Sequence, residues 1–219
     1  MPPASRTQPV EGRSIRLGMG QVPAPAAEWF RPPTLAGRHV RLEPLRPEHA
    51  DALFDAADPQ TFRYHLNVPR SWDRGSFAEF IESLLAIPGR ASLAMIDPST
   101  GEALGSSAFM EIRPEHLGLE IGATWITPSR RGGVVNPEAK RLMLAHAFDV
   151  LGAVRVQLKC DGRNLHSQGA IAKLGAVREG VLRRHMRAPD GHMRDTVYYS
   201  ILADEWPGVR AGLDARLGR

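Results

Sequence analysis

The feature that most constrains the fold of this chain is an arginine- and glycine-rich loop, residues 127–135, between a predicted strand and a predicted helix. The strand, residues 119–126, is largely apolar, and the helix, residues 136–150, carries apolar side chains at helical spacing. Asn136 suits the N-cap of that helix. A second strand, residues 154–160, follows directly. Two strands joined through a helix by short connections run parallel, so the sheet contains one parallel pair.

The rest of the chain shows the periods of short helices and of strands joined by tight turns. Pro-Ser-Thr-Gly and Pro-Asp-Gly sequences connect two predicted hairpins, and Ser76 with Glu79 forms a capping box before the second helix. Predicted strands are 40–45, 91–96, 103–110, 119–126, 154–160, 181–187 and 196–202, and predicted helices are 47–57, 76–87, 136–150, 164–175 and a last one from residue 204. This order predicts an α/β (α+β) fold with a mixed, mostly antiparallel twisted sheet flanked by helices.

The first 33 residues differ from the remainder. Seven prolines interrupt them, and neither a helical nor a strand period persists. We therefore predict a poorly ordered, proline-rich extension over residues 1–33 and one domain over residues 34–219. Trp29 and Phe30 are the only aromatic side chains of the extension, and packing of this pair would attach its end to the domain.

Composition excludes several classes of protein. No apolar run approaches the ~18–20 residues that span a bilayer, and the first residues lack the apolar stretch of a secretory signal. The single cysteine, Cys160, excludes an internal disulfide and a metal site built on several cysteines, and it favours a cytoplasmic location. The net charge of +4 suits an anionic ligand. Because the arginines are dispersed, we predict no nucleic-acid binding. The lack of a long apolar run predicts no membrane binding, and the lack of a cysteine or histidine ligand pattern predicts no metal.

The loop has the chemistry of an anion-binding site. Gly132 and Gly133 let the backbone approach a ligand, and Arg130 and Arg131 add positive charge. The helix that follows presents free N–H groups and a partial positive charge. Together they suit a pyrophosphate, although a simple solvated turn capped by Asn136 is the alternative. No Gly-Lys-Ser/Thr sequence follows, so the loop is not an ATP-binding P-loop.

A second strand end and helix start are predicted beside this loop. The strand ending at Cys160 turns into a helix that Asn164 caps and that carries Ser167. If the two strands are neighbours, both strand ends and both helix starts converge on one crevice.

Four segments together carry a resemblance to a known family. They are GRHVRLEPLRPEHADALF, LEIGATWITPSRRGGVVNPEAKRLMLAHAF, RNLHSQGAIAKLGAVREGVLRRHM and RDTVYYSILADEW. In this order and spacing the chain resembles the GCN5-related N-acetyltransferases (GNAT), in particular the branch of ribosomal-protein N-terminal acetyltransferases of the RimJ/RimL type. The resemblance covers about residues 34–207. It implies a sheet whose central parallel strands splay apart to bind the coenzyme.

The resemblance implies acetyl-CoA as the acetyl donor. In the family, a Gln/Arg-x-x-Gly-x-Gly/Ala loop holds the pyrophosphate; here Arg130 and Gly133 fit, while Val135 replaces the small last residue. The implied coenzyme-binding residues are the backbone of Trp125, Ile126 and Thr127, the loop Arg130, Arg131, Gly132, Gly133, Val134 and Val135, the helix start Asn136, and Asn164 with Ser167.

The family chemistry is direct attack of an amine on a thioester. Glu120 is the candidate base, because burial in an apolar strand is expected to raise its pKa. Its alternatives are an ion pair with an arginine or exposure to solvent, and His65 is a second candidate base. Ser167 is the candidate proton donor to the leaving thiolate, although a serine there also serves the helix backbone. Cys160 is expected to pack in the core.

The acceptor is predicted to be a primary amine. Phe62, Tyr64, His65 and Trp72, in the irregular segment 58–75, are the candidate walls of its site. The branch resemblance favours a protein N-terminal α-amine, with an amino acid, a polyamine or an amine drug as alternatives. A non-catalytic acyl-CoA sensor is the alternative of a different class. A homodimer through the late hairpin or a sheet edge is a further prediction.

Overall fold

The computed structural model describes residues 23–219, which form one eight-stranded sheet with helices on both faces. The strands are β1 (Leu35–Ala36), β2 (Arg41–Pro44), β3 (Ala91–Ile96), β4 (Ala103–Arg113), β5 (Gly118–Ile126), β6 (Arg155–Asp161), β7 (Val177–Arg187) and β8 (Met193–Leu202). The helices are α1 (Ala26–Trp29), α2 (Ala50–Ala56), α3 (Arg74–Leu85), α4 (Val135–Ala145), α5 (Leu165–Ala172) and α6 (Trp206–Arg216). The strand order is β1-β2-β3-β4-β5-β6-β8-β7.

The predicted parallel pair is β5 with β6, and every other neighbouring pair is antiparallel. This confirms the predicted fold class. The parallel pairing covers only Gly118, Leu119 and Glu120 of β5. Beyond Glu120 both strands continue without pairing to each other in the described chain, so the sheet opens into a gap between them.

Alternation along the strands separates two cores. Leu119 and Ile121 of β5 belong to the main core, which α4, α5 and α6 cover. Trp125 belongs to a second core beneath α2 and α3, because an irregularity in β5 between Gly122 and Trp125 reverses the alternation there. We call these two sides of the sheet the α4 face and the α3 face. Glu120 points to the α3 face, because side chains alternate along a strand.

The segment before residue 34 packs on the domain. The Ala24 N–H donates to the Leu151 carbonyl at 3.1 Å, and Trp29 lies in the main core with 2% of its surface exposed. Phe30 is 45% exposed. The boundary predicted at residue 33 therefore falls inside a packed segment, and the predicted extension over residues 1–22 lies outside the described residues.

Two helices begin earlier than predicted. Helix α3 starts at Arg74, because the Asp73 carboxylate accepts the Ser76 N–H at 2.9 Å and acts as the cap that was assigned to Ser76. Helix α4 starts at Val135 with Val134 at the N-cap, so Asn136 is the second helical residue and not the cap.

Helix α4 is anchored to the start of the sheet by a buried carboxylate. Glu138 is fully buried and accepts the backbone N–H groups of Arg38, His39 and Val40 at 3.1, 2.5 and 2.9 Å. Arg219 pairs with the same carboxylate. These bonds place the start of α4, and therefore the loop before it, relative to the sheet.

Two features are absent from the part of the chain that the structure describes. Among residues 23–219, no helix is both long enough and apolar enough to cross a membrane. In the same part of the chain, no three His, Cys, Asp or Glu side chains lie close enough together to hold a metal ion.

Candidate active site

The loop after β5 leaves the start of α4 open. Gly132 has φ of +77°, a left-handed conformation that favours glycine, and nothing lies near the position of a side chain there. No side chain caps α4, and Pro137 has no N–H, so the amides of Val135 and Asn136 carry the positive end of the helix. Val134 and Gly133 are exposed beside them.

The two loop arginines have different roles. Arg131 donates to the Ile126 carbonyl at 3.0 Å and to the Thr61 hydroxyl at 2.9 Å, which ties the loop to its own strand. Arg130 pairs with Asp97 at 3.2 Å, while 47% of its side chain remains exposed. Arg130 is therefore the more available cation at the mouth of the gap.

The gap between β5 and β6 is bordered by the residues predicted to hold the coenzyme arm. Trp125 and Ile126 pair with β4 on one edge, and the Thr127 N–H donates to the Leu104 carbonyl at 2.8 Å. Across the gap, the Asn164 side chain caps α5 by accepting the Ser167 N–H at 3.0 Å. The structure thus brings these residues to the two sides of one gap.

Asn136 faces inward from the first turn of α4. Its Oδ1 is buried and has no hydrogen-bond partner among the described residues. Buried polar atoms in folded proteins nearly always have partners. This oxygen is therefore a place for a donor from a bound molecule.

Cys160 and Ser167 lie close together at the far end of β6. Cys160 belongs to the main core, as expected from alternation. Burial raises the pKa of its thiol, and a hydrogen bond with Ser167 offsets part of that rise. The Ser167 hydroxyl thus has a partner in the protein.

Glu120 lies at the closed end of the gap, on the α3 face, with 1% of its surface exposed. Its Oε2 is 2.9 Å from the Lys159 Nζ and accepts from the Gln157 Nε2 at 2.9 Å. Lys159 also binds Glu111 at 2.6 Å. Burial raises the pKa of Glu120 above its usual value, and the Lys159 charge and the Lys159 and Gln157 hydrogen bonds oppose this only in part. Glu120 therefore neither pairs with an arginine nor faces solvent, which were the two alternatives considered from the sequence.

A glycine makes room for the Glu120 carboxylate. A side-chain carbon at Gly122 would lie 2.7 Å from the Glu120 Oε1 and 2.8 Å from the Met110 Cε. The carboxylate therefore lies against the bare backbone of β5, where the gap begins.

The predicted acceptor walls separate into two groups. Phe62 is buried in the second core and contacts Trp125 edge-on, with 5.5 Å between the ring centroids. Trp72 stacks on Phe54, with 5.1 Å between the ring centroids. These two aromatic side chains hold the segment in place. Tyr64 lies under the Arg163 guanidinium at 5.6 Å, at the start of α5.

His65 packs edge-on against Phe62 at 5.5 Å. Burial, together with the charges of Arg90 and Arg194, lowers the pKa of His65 to about 4. The imidazole is therefore neutral at physiological pH and is a weaker base than the sequence suggested.

Sequence reasoning missed a buried lysine on the opposite, α4 face. Lys140 is 5% exposed, and its Nζ donates to the Thr124 hydroxyl at 2.5 Å and the Ser107 hydroxyl at 3.4 Å. Both hydroxyls also reach the Gly122 carbonyl, at 3.4 and 3.3 Å. This cluster supports the strand where Ala123 has φ of +50°. Its only sequence signal was a lysine beside the apolar stripe of the helix.

Comparison with known proteins agrees with this geometry. The acetyltransferase (GNAT) domain family matches residues 39–177. The N-acetyltransferase YoaA of Bacillus subtilis, itself uncharacterised, is 31% identical over 103 residues, which are 47% of this chain and 57% of YoaA. The chain thus spans just over half the length of this curated relative.

Solved structures share the fold over most of their length. A protein of T. thermophilus solved as a candidate acetyltransferase is 46% identical with a TM-score of 0.81, covering 86% of this chain and 99% of that one. The RimJ protein of Mycobacterium smegmatis, solved in complex with CoA-disulfide, is 24% identical with a TM-score of 0.70, covering 86% and 96%. The fold and site define an acetyltransferase-type domain, and this chain belongs to the GNAT family.

Proposed function

We propose that this protein transfers the acetyl group of acetyl-CoA to a primary amine at the gap between β5 and β6. The observation that carries the proposal is a buried carboxylate, Glu120, at the point where the two strands separate. A family site needs a base beside the reacting carbon and an open strand edge for the coenzyme. The buried carboxylate and the unpaired edge of β5 lie within three residues of each other, which supports the proposal.

The residues around the gap fit the coenzyme. Pantetheine amides both donate and accept hydrogen bonds, as does the unpaired edge of β5 at residues 121–126. The partnerless Oδ1 of Asn136 would accept from such a donor. The uncapped start of α4 and the half-exposed Arg130 suit the diphosphate. When bound, the coenzyme supplies an acetyl group activated as a thioester.

Glu120 takes the proton that the amine must lose before it attacks. Lys159 and Gln157 both bind Oε2, so Oε1 is the oxygen that lies toward Gly122 and the gap. Its raised pKa makes this carboxylate a stronger proton acceptor than an ordinary exposed one. Ala123 has a left-handed conformation with φ of +50°, and a β5 backbone N–H near it is the proposed donor to the oxygen that gains negative charge. Ser167 is the proposed donor to the departing thiolate.

The experiment is a test of Glu120→Gln in the full chain, with free thiol release as the readout. We expect turnover to fall on the order of 100-fold, the usual contribution of a positioned base, with unchanged coenzyme affinity. Glu115→Gln is the matched control, because 64% of that side chain is exposed. Unchanged turnover in Glu120→Gln contradicts the assignment of the base. Tight coenzyme binding without transfer to any amine supports the acyl-CoA sensor instead.

A protein N-terminal α-amine is the proposed acceptor, with a small amine as the alternative. A panel of peptides with varied first residues, free amino acids and polyamines separates the two. If the proposal holds, efficient thiol release from acetyl-CoA should occur with the peptides and not with the free amino acids or polyamines. The cytoplasmic location stays a prediction.

We also propose a homodimer through the outer edge of β7. This strand ends the sheet, and Val177 and Leu182 on it are 51% and 48% exposed. Exposed apolar edge strands are prone to pair with a second chain. Sedimentation velocity of the protein and of Leu182→Glu tests this, and a monomer at every concentration contradicts it.

A further inference from the structure

Two arginines on the α3 face have no carboxylate partner. Arg90 precedes β3 and donates through Nε to the Ser92 hydroxyl at 2.9 Å. Arg194 on β8 donates through Nε to the Thr196 hydroxyl at 3.1 Å. Across residues 23–219, no acidic side chain lies within 4 Å of either guanidinium.

Leaving these charges unpaired has a cost. Arg194 is only 4% exposed, and burial lowers the pKa of both guanidinium groups. A buried charge without a counterion is unfavourable, so such groups are usually paired. Other partly buried arginines follow this rule: Arg141 pairs with Asp214, and Arg155 pairs with Glu179.

The strand register places both arginines on the same face of the sheet as Glu120. Ser92, the partner of Arg90, lies opposite Ala108, which in turn lies opposite Gly122 on β5. On the other side, Gln157 lies opposite both Glu120 and Ser200 of β8. Residues opposite each other in a sheet share a face, and every second residue of a strand does too. Arg194 is six residues before Ser200, so it shares the face of Glu120.

The two arginines approach the site from opposite sides. In the strand order, β5 lies midway between β3 and β8, two strands from each. The charges of Arg90 and Arg194 both lower the pKa of His65. Each of the two guanidinium charges also interacts with the charge of Glu120. Glu120 and Glu111 already have Lys159 as their direct partner, and Asp161, the carboxylate that acts most strongly on Arg194, already has Arg163, so the arginine charges are in excess.

We propose that Arg90 and Arg194 bind a carboxylate of the amine acceptor, so that the protein prefers acceptors with an anionic group close to the reacting amine. This inference rests on the proposed function. The amine lies at Glu120, and the carboxylate lies toward one of the two guanidinium groups. The carboxylate is either the α-carboxylate of an amino acid or an acidic side chain near a peptide N-terminus.

Matched pairs of acceptors test the inference with the full chain and acetyl-CoA. Glycine and glycinamide differ only in the α-carboxylate, while Ser-Asp and Ser-Asn peptides with amidated ends differ only in the side chain. We expect the anionic member of at least one pair to have a kcat/KM about 10-fold or more above the neutral member. The pair that shows the difference identifies the source of the carboxylate.

Variants of the arginines complete the test. Arg194→Gln and Arg90→Gln should each lower kcat/KM for the anionic acceptor about 10- to 100-fold and leave the neutral acceptor and the coenzyme KM within about 3-fold. Arg194→Lys keeps the charge and should retain part of the preference, which separates recognition from misfolding. Arg187→Gln, at an exposed arginine of the same hairpin, is the control.

Three outcomes overturn the inference. Equal turnover of both members of every pair shows that no charge is recognised. Equal losses for both members in the variants, or a raised coenzyme KM, show that the arginines serve the fold or the coenzyme. No thiol release with any acceptor overturns acetyl transfer itself, and this result is distinct because both members of every pair fail in the wild-type protein.

Discussion

Replacing Lys140 by methionine should make the protein more stable at neutral pH. The Lys140 ammonium is buried between α4 and β5 and has two hydroxyl partners, Thr124 and Ser107. No carboxylate within the described chain lies within 4 Å of it. Burial lowers its pKa from 10.5 to about 7. Methionine has a similar length and carries no charge to bury.

The magnitude follows from this pKa. A change from 10.5 to about 7 corresponds to roughly 5 kcal/mol, at about 1.4 kcal/mol per pH unit. The unfolded chain keeps the proton up to about pH 10.5, whereas the folded chain keeps it only up to about pH 7. Between these values the unfolded state binds more protons, so the penalty is full below pH 7 and disappears as pH rises to 10.5.

The net gain is smaller because the substitution also removes hydrogen bonds. Two bonds at about 1 kcal/mol each reduce the gain at pH 7 to about 3 kcal/mol. Ser107 and Thr124 still bond to each other at 2.7 Å, so neither hydroxyl loses every partner. Turnover should fall nonetheless, since the donor that braces the strand beside Gly122 is gone.

Urea unfolding of wild type and Lys140→Met at pH 6.5 and pH 9.5 measures the effect. We expect a clear gain in the free energy of unfolding at pH 6.5 and little or none at pH 9.5. Lys173→Met, at an exposed lysine that directly follows α5, controls for loss of a positive charge. Equal destabilisation by Lys140→Met at both pH values would refute the reasoning, since a buried ammonium would then carry no penalty.

Three further substitutions probe other parts of the structure. Gly122→Ala should displace the Glu120 carboxylate, which lies 2.7 Å from the new carbon, and lower kcat at least about 10-fold with coenzyme affinity unchanged in calorimetry. Gly132→Ala should cost about 1 kcal/mol of stability because φ is +77°, and it should weaken coenzyme binding; an unchanged affinity speaks against the loop as the diphosphate site. Trp29→Ala should lose about 3–5 kcal/mol in urea unfolding while the exposed Phe30→Ala loses almost nothing, and equal effects would contradict the packing of this segment.

Much of the framework was predictable because it depends on neighbours in the chain. The strand, loop and helix around residues 119–150 follow from periodicity and from the special conformations of glycine. The parallel pair of β5 and β6 follows from the short connections on both sides of α4. The buried position of Glu120 follows from alternation along an apolar strand.

Helix starts were less predictable, although they too are local. Asp73 and Ser76 both have the composition of a cap, and only the backbone geometry selects Asp73. At α4 the helix extends one residue before Asn136 and begins at Val135 without any side-chain cap. An interpretation based on caps assumes that every helix has a side-chain cap, and α4, whose start is the proposed anion site, does not have one.

By itself, the sequence determined the parallel strand pair, the open loop at the start of α4 and the face on which Glu120 lies. Tertiary structure alone decided the partners of that carboxylate: Lys159 and Gln157 are 39 and 37 positions away in the chain. Tertiary structure also decided that Arg131 donates to the Ile126 carbonyl of β5 and that Lys140 is buried on the α4 face of the sheet. The reason is physical: periodicity selects a face, whereas pairing across strands and between layers selects the neighbour, and that pairing depends on register and packing over the whole sheet.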